Sequence, residues 1–448
     1  MSLRSDCSRD FSELQDFEHQ SLAAWISGKT VEVFTIGAQG TVRGNKSDSS
    51  GRADSGHSQP GPLRILYVIE AMQGGARRHI LQLLTHLDSK CFRPALVCST
   101  RRDPSAESDI LRLREAGIPI TVIPMRREIY PLADATAYVQ LTRHLRANRY
   151  DIVHTHCAKA GVLGRLAARR ARVPVIIHTP HLLPFQWTRG ARRQVYLAVE
   201  RCAAKWTDRI IVLTEGQKRL AIEAGLCGEQ SLSVVPNGIA LWQYDRSAER
   251  LRKRRALGID GSTPLVGTVA RLVHQKGLEY FLQAARTVRQ HLSPSRFLIV
   301  GEGPLEYSLR SLAARLGLGE ACFWIPHQAK IEAIYCALDV FVLSSLWEGL
   351  PYALLEAMGA QCPIVATSIP GPTDVLIDGS SALFAPPANS DAFAEKIIET
   401  LRDPAAAAAR ARHARTLLER FYTLERFLQR TQALYIELAA RKLPDADA

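Results

Sequence analysis

The sequence predicts an α/β fold of two doubly wound parallel sheets, set one after the other along the chain and facing each other across a cleft. Short apolar runs recur between longer stretches of helical periodicity, the pattern of buried parallel strands joined by crossover helices. That series runs twice, from residue 63 to about 240 and again from 264 onward. The first apolar run, LRILYVIE, is followed by Gln73-Gly74-Gly75 and a helical stretch, the strand, glycine turn and helix that open a dinucleotide-type fold. The pair lacks the G-x-G-x-x-G spacing and does not by itself identify a nucleotide site.

Residues 1–62 are expected to stand apart as an N-terminal extension. Residues 44–62 are rich in Ser, Gly and Asp and read as a disordered linker, while residues 30–36 (TVEVFTI) alternate like a short strand. The first domain spans 63–240, with further strands expected at 95–98, 120–123, 151–154, 175–178 and 210–213 and a closing run at Val234-Val235. Asn237-Gly238 reads as a turn, and a basic helical stretch at 249–257 leads across. The second domain, 241–448, opens on PLVGTVA and continues through FLIVGEGP, CFWIP, DVFVL, PIVAT and a run at 382–386 into C-terminal helices that have the option of packing back on the first domain.

The chain has 448 residues, and its 46% hydrophobic and 23% charged content excludes collagen-like, coiled-coil and wholly disordered readings. The net charge of +13 is uneven: residues 61–240 hold 27 basic against 14 acidic side chains, whereas 1–60 hold 6 against 8 and 241–448 hold 24 against 22. A basic first domain points to an anionic partner. Nucleic acid is excluded, because no recognised binding fold or aromatic-interleaved basic motif is present. Arg165, Arg169, Arg170, Arg172, Arg189, Arg192, Arg193, Arg201 and Lys205 read either as solvated helix faces or as attraction to an acidic lipid leaflet. Nine cysteines without a C-x-x-C pair argue against a disulfide framework or thiolate metal site and favour a reducing compartment. No apolar run reaches about 18 residues, and the N-terminus is unlike a signal sequence. The expected location is cytoplasmic, peripheral to the cytoplasmic face of a membrane.

Residues 344–371, SSLWEGLPYALLEAMGAQCPIVATSIPG, read as a strand end, a turn, a short helix with Pro351 in its first turn, and a second strand. Glu348 falls in the turn, and Glu356 sits among Leu354, Leu355, Ala357 and Met358, where an acid that is not to be buried alone should face a cleft. Their separation of roughly 10 Å suits the ribose and the sugar of a nucleotide-diphosphate sugar, with a helix N-terminus between them for the diphosphate. Two unrelated solvated acids are the alternative. Arg271 and Lys276 follow the strand PLVGTVA, where a bidentate guanidinium and an ammonium could neutralise a diphosphate without a metal. The turn Gly301-Glu302-Gly303-Pro304 brings backbone to the same edge.

The combination GTVARLVHQKG, IVGEGPL, DVFVLSSLWEGLPYALLEAM and PIVAT resembles the family-four retaining glycosyltransferases of GT-B fold, and Glu348 and Glu356 match that family's E-x7-E pair. The resemblance covers the chain from about residue 63. It implies that Arg271 and Lys276 hold the donor diphosphate and stabilise the leaving group. Glu348 then contacts the transferred sugar, the backbone of Gly349, Leu350 and Pro351 assists, Glu356 accepts from the ribose, and Gly74 and Gly75 approach the diphosphate from the other lobe. In HTPHLLPF it assigns His181 to the reacting sugar, with His156 and Lys159 as alternatives. It further implies retention without a cofactor or metal, a nucleotide-sugar donor, and a carbohydrate or lipid-linked acceptor presented at a membrane. A soluble acceptor and a non-catalytic scaffold subunit are the other readings. Departures from the family pattern are Asp374 for a Glu, Gln361 where a Gly usually ends the helix, and Ala240 after Asn-Gly-Ile.

Overall fold

The computed structural model describes residues 61–101, 105–126, 128–326 and 330–443. Residues 1–60 of the expected extension at 1–62 lie outside them, as do residues 327–329 and 444–448. Leu63–Asp445 forms one unit, within which all contacts below fall.

Seven strands build the first sheet: β1 (Leu63–Ile69), β2 (Phe92–Cys98), β3 (Ile120–Val122), β4 (Ile152–His156), β5 (Val175–Thr179), β6 (Arg209–Val212) and β7 (Leu232–Val234). Their order is β3-β2-β1-β4-β5-β6-β7, every pairing parallel. The second sheet contains β8 (Leu265–Val269), β9 (Arg296–Val300), β10 (Cys322–Ile325), β11 (Val340–Leu343), β12 (Ile364–Thr367) and β13 (Leu383–Ala385), in the order β10-β9-β8-β11-β12-β13 and again parallel. In each sheet the order reverses once, between β1 and β4 and between β8 and β11. Ligands of doubly wound folds bind outside the carboxyl ends at such points.

Both faces of each sheet are covered, which is why the strands read as unbroken apolar runs. Ile65, Tyr67 and Ile69 of β1 face a cluster that includes Phe427, Tyr435 and Leu438 of the C-terminal helix Leu424–Lys442. Leu66 and Val68, pointing the other way, pack with Leu141, Leu145 and Ala167. The C-terminal helix is pinned by Tyr435, whose hydroxyl lies 2.6 Å from His154 Nδ1 and 3.1 Å from Tyr67 Oη. The chain's two crossings between the sheets run side by side: Ile239 N donates to Tyr422 O at 3.0 Å and Leu424 N to Ile239 O at 2.9 Å.

Three sequence expectations change. β4 runs two residues past 154, because Ile69 of β1 and Thr179 of β5 continue its pairing on either side, so His156 lies within a strand instead of beyond its end. Asn237-Gly238 is not an exposed turn; Asn237 is buried, and Gly238 lies against the backbone of Thr423. Arg165 is fully buried and paired with Glu200 at 2.8 Å, because its helix faces the neighbouring helix Gly190–Ala204 there, and it adds nothing to a basic surface.

Candidate functional site

The second sheet's reversal point collects the sequence-predicted charges. Arg271 leaves the end of β8 exposed to the cleft, and Lys276 closes a short 3-10 turn, His274–Lys276. Glu348 follows β11. The turn beyond β9 supports this edge, since Leu272 N donates to Glu302 O at 2.9 Å and Leu305 N to Leu272 O at 3.0 Å.

Glu348 is 6% exposed and fully engaged. Its Oε1 is bound by Lys276 Nζ and by Ser345 Oγ at 2.7 Å, and its Oε2 receives Gln275 Nε2 at 3.4 Å. Pro351 stands just ahead of the helix Tyr352–Gly359, not within its first turn, with extended backbone at φ −73° and ψ 131°. Gly349, Leu350 and Pro351 therefore bridge Glu348 to a helix N-terminus whose first N–H groups lack intrahelical partners. Glu356, one turn further on, is 6% exposed, accepts from Tyr335 Oη at 2.8 Å, and is paired with Arg78 of the first lobe. Burial, reinforced by Glu356, drives the Tyr335 hydroxyl well above its ordinary value, so it remains a donor. Gln361, after the helix, takes φ 50°, the left-handed conformation in which a side chain is strained.

From the first lobe the glycine turn comes up to these groups. Gly74 adopts φ 57°, and a Cβ there would sit 3.6 Å from Cδ of Arg271. Arg271 Nη1 donates to Gln73 Oε1 at 3.0 Å. Gly75 faces the ring of Tyr352, whose hydroxyl donates to Gln82 Oε1 at 2.7 Å, and the Arg78 guanidinium lies 4.7 Å over the same ring. Asp374 also crosses: one oxygen accepts from Gly371 N at 3.0 Å and the other from Arg219 at 3.3 Å. Trp187 and Trp347, one from each lobe, stack with centroids 5.9 Å apart.

His181 follows β5 with φ 59°, uncommon for a residue other than glycine. Its carbonyl accepts from Gln217 Nε2 at 3.1 Å and lies so close to Gly349 that any Cβ at 349 would collide with it. The His181 backbone thus reaches the residue after Glu348, whereas its imidazole turns into a histidine cluster: Nε2 is 3.1 Å from His156 Nδ1, and the ring meets His79 edge-on at 4.8 Å. Burial pushes His79 down to about 4 and holds His154, His156 and His181 well below the usual imidazole range, with mutual repulsion adding to it. These rings are neutral at physiological pH. The Lys159 side chain is paired with Asp134 at 2.5 Å, and its backbone N–H donates to Glu70 Oε2 at 2.9 Å.

Sequence reading missed Arg78, Tyr335, Ser345, His79 and Asn237. Arg78 and His79 lie one turn past Gly74, an adjacency that could have marked them. Asn237 joins the lobes, donating to Leu350 O at 2.8 Å and meeting His79 Nδ1 at 2.9 Å, and only its place after β7 hinted at this.

Comparison with known proteins agrees in two independent segments. Residues 249–417 match the family described as Glycosyl transferases group 1, and residues 74–238 match the Glycosyl transferase 4-like domain. Among curated relatives, the UDP-Gal:alpha-D-GlcNAc-diphosphoundecaprenol alpha-1,3-galactosyltransferase of Escherichia coli is 29% identical over 387 residues, 85% of this chain and 98% of its own. The 2-deoxystreptamine glucosyltransferase of Streptomyces kanamyceticus is 30% identical over 338 residues, 71% of this chain and 85% of its own. In fold, the chain resembles Anabaena HepE in complex with UDP, at TM-score 0.70 and 20% identity over 83% of this chain and 99% of that one.

Proposed function

We propose, for a chain that belongs to the glycosyltransferases of group 1 and has their two-lobed GT-B fold, that it moves a sugar from a UDP-sugar to a lipid-linked saccharide with retention of configuration, in glycan or polysaccharide biosynthesis. The observation that carries this reading is the grouping of Arg271, Lys276, Glu348 and Glu356 around one helix N-terminus at the β8/β11 reversal, opposite Gly74.

Arg271 grips the diphosphate through paired N–H donors and Lys276 adds a point charge. Glu348 receives the hydroxyls of the transferred sugar, and Glu356 those of the ribose. As the bond between the anomeric carbon and the β-phosphate oxygen breaks, charge moves onto that phosphate, where both cations and the N–H groups of Gly349 and Leu350 stabilise it. The acceptor hydroxyl attacks on the same face and gives its proton to the departing phosphate oxygen, so no carboxylate nucleophile is required and configuration is retained. His181 lines the acceptor side of the reacting carbon. With two cations at the diphosphate, the reaction needs no metal.

The acceptor reading rests on the E. coli relative, whose name specifies a diphosphoundecaprenol acceptor, and on the basic first lobe. Beyond β3, Ile129 and Leu132 are 76% and 87% exposed, with the exposed Arg126 and Glu128 before them, an apolar tip at the carboxyl end of the sheet that suits contact with a leaflet. Among the described residues no helix is long and apolar enough to cross a membrane. The Streptomyces relative favours a second reading, a soluble aminocyclitol acceptor.

The test is a panel of UDP-sugars offered with a GlcNAc-diphospholipid or with 2-deoxystreptamine, products being read by mass spectrometry and NMR. Transfer to the lipid with a retained anomer and undiminished by chelator is expected. An inverted anomer refutes retention, and activity lost on chelation and restored by Mg²⁺ or Mn²⁺ refutes metal independence. Transfer to the aminocyclitol alone selects the second reading. UDP-sugar binding in a thermal-shift screen with no transfer to either acceptor selects the non-catalytic, nucleotide-binding scaffold.

A further inference from the structure

Three histidines from separate elements converge at the cleft side of the first sheet: His79 on the helix Gly74–His86, His156 at the end of β4, and His181 after β5. One ring nitrogen of each lies within 4.8 Å of the others. His79 is 2% exposed and His156 fully buried, so water does not solvate these rings as it does surface histidines.

The hydrogen bonds define which nitrogens are available. Asn237 Nδ2 donates to Leu350 O, which leaves Asn237 Oδ1 to accept from His79 Nδ1 at 2.9 Å. The neutral His79 ring therefore carries its proton on Nδ1 and keeps a lone pair on Nε2. A ring N–H donated to a carbonyl oxygen is the outer-shell contact that metal-binding histidines normally make. His156 and His181 share one contact, Nδ1 to Nε2 at 3.1 Å, which sets those two nitrogens side by side.

We infer that His79, His156 and His181 form a binding site for one Zn²⁺-like divalent cation, and that filling the site blocks transfer by holding His181 away from the reacting sugar. An all-imidazole donor set selects Zn²⁺ and its neighbours over Mg²⁺ or Ca²⁺. His156 Nδ1 and His181 Nε2, 3.1 Å apart, can both reach one ion at bond lengths of about 2.0–2.1 Å, and a ring nitrogen of His79 within 4.8 Å of them supplies the third of three protein ligands, with the fourth position open. The site is separate from the diphosphate cations Arg271 and Lys276, so it is inhibitory and not a requirement of the reaction. The inhibitory half rests on the proposed role of His181; the binding half does not.

Chelator-treated full-length protein is titrated with Co²⁺ and then Zn²⁺. One Co²⁺ per chain, with the strong visible absorption of four-coordinate cobalt, displaced by one equivalent of Zn²⁺, is expected. The absorption should be lost in folded His79→Gln and His156→Gln variants. X-ray absorption of the Zn²⁺-loaded wild type, which needs no variant, should show imidazole nitrogens and no sulfur. One equivalent of Zn²⁺ should lower transfer to below about a tenth, reversibly on chelation. Absence of stoichiometric binding, a sulfur-containing shell, or a signal that persists in both variants overturns the site. Binding with unchanged transfer overturns the inhibition, and binding by a chain that transfers no sugar overturns the functional reading while leaving the site intact.

Discussion

Lys276 Nζ is bound to Oε1 of Glu348, so the cation matched to the diphosphate and the acid matched to the sugar hold each other in place. The pair is well covered, with side chains 18% and 6% exposed. Removing one member leaves the other charge poorly solvated. Lys276→Ala should cost about 2–3 kcal/mol of stability in chemical denaturation, and Lys276→Ala/Glu348→Gln should recover most of it. Transfer should stay at least about a hundredfold down in both variants, because the donor contacts are lost. A double variant as unstable as the single would mean that the pair is not coupled.

Arg78 blocks one oxygen of Glu356 across the cleft, and Tyr335 holds the other. A ribose hydroxyl must displace Arg78 to reach Oε1. Arg78→Met keeps the packing over Tyr352 and removes the competitor, so UDP should bind about three- to tenfold tighter by calorimetry, whereas Glu356→Gln should weaken it by a similar factor or more. Weaker UDP binding in Arg78→Met would show that Arg78 contacts the nucleotide instead of competing with it.

His181→Ala should lower turnover by about a hundredfold, the scale of a positioned catalytic group, with the circular dichroism spectrum unchanged. Turnover close to wild type would remove His181 from the reaction and return attention to His156.

Ile129→Asp/Leu132→Asp should cut recovery with anionic vesicles in flotation several-fold, while thermal stability and UDP binding stay the same, since both side chains project into solvent. Equal recovery with neutral and anionic vesicles in the wild type would argue against a membrane-facing role for the basic lobe.

Much of this architecture was legible because its signals are local. Apolar runs alternating with helical periods mark strands and helices wherever they lie, and Arg271, Lys276, Glu348 and Glu356 fall at strand ends that the sequence marks directly. Where reading failed, the missing information was a partner. His156 fell outside the strand expected at 151–154 because a strand's end depends on how far its neighbours continue. Arg165 looked like surface charge because burial of a guanidinium depends on Glu200, on another helix. The left-handed backbone at Gln361 was readable, since a Gly usually stands at that end of the helix and the conformation follows from the helix's own close.

The sequence by itself determined the two parallel sheets, the family motifs and the placing of the two acids on either side of a helix start, because each depends on residues within a few turns of one another. Only the tertiary structure decided who faces whom: Arg78 against Glu356, Asn237 between His79 and Leu350, and the three histidines around one point. Arg78 and Glu356 are 278 positions apart. Their contact is produced by two lobes closing on each other, and no local pattern encodes the angle at which they meet.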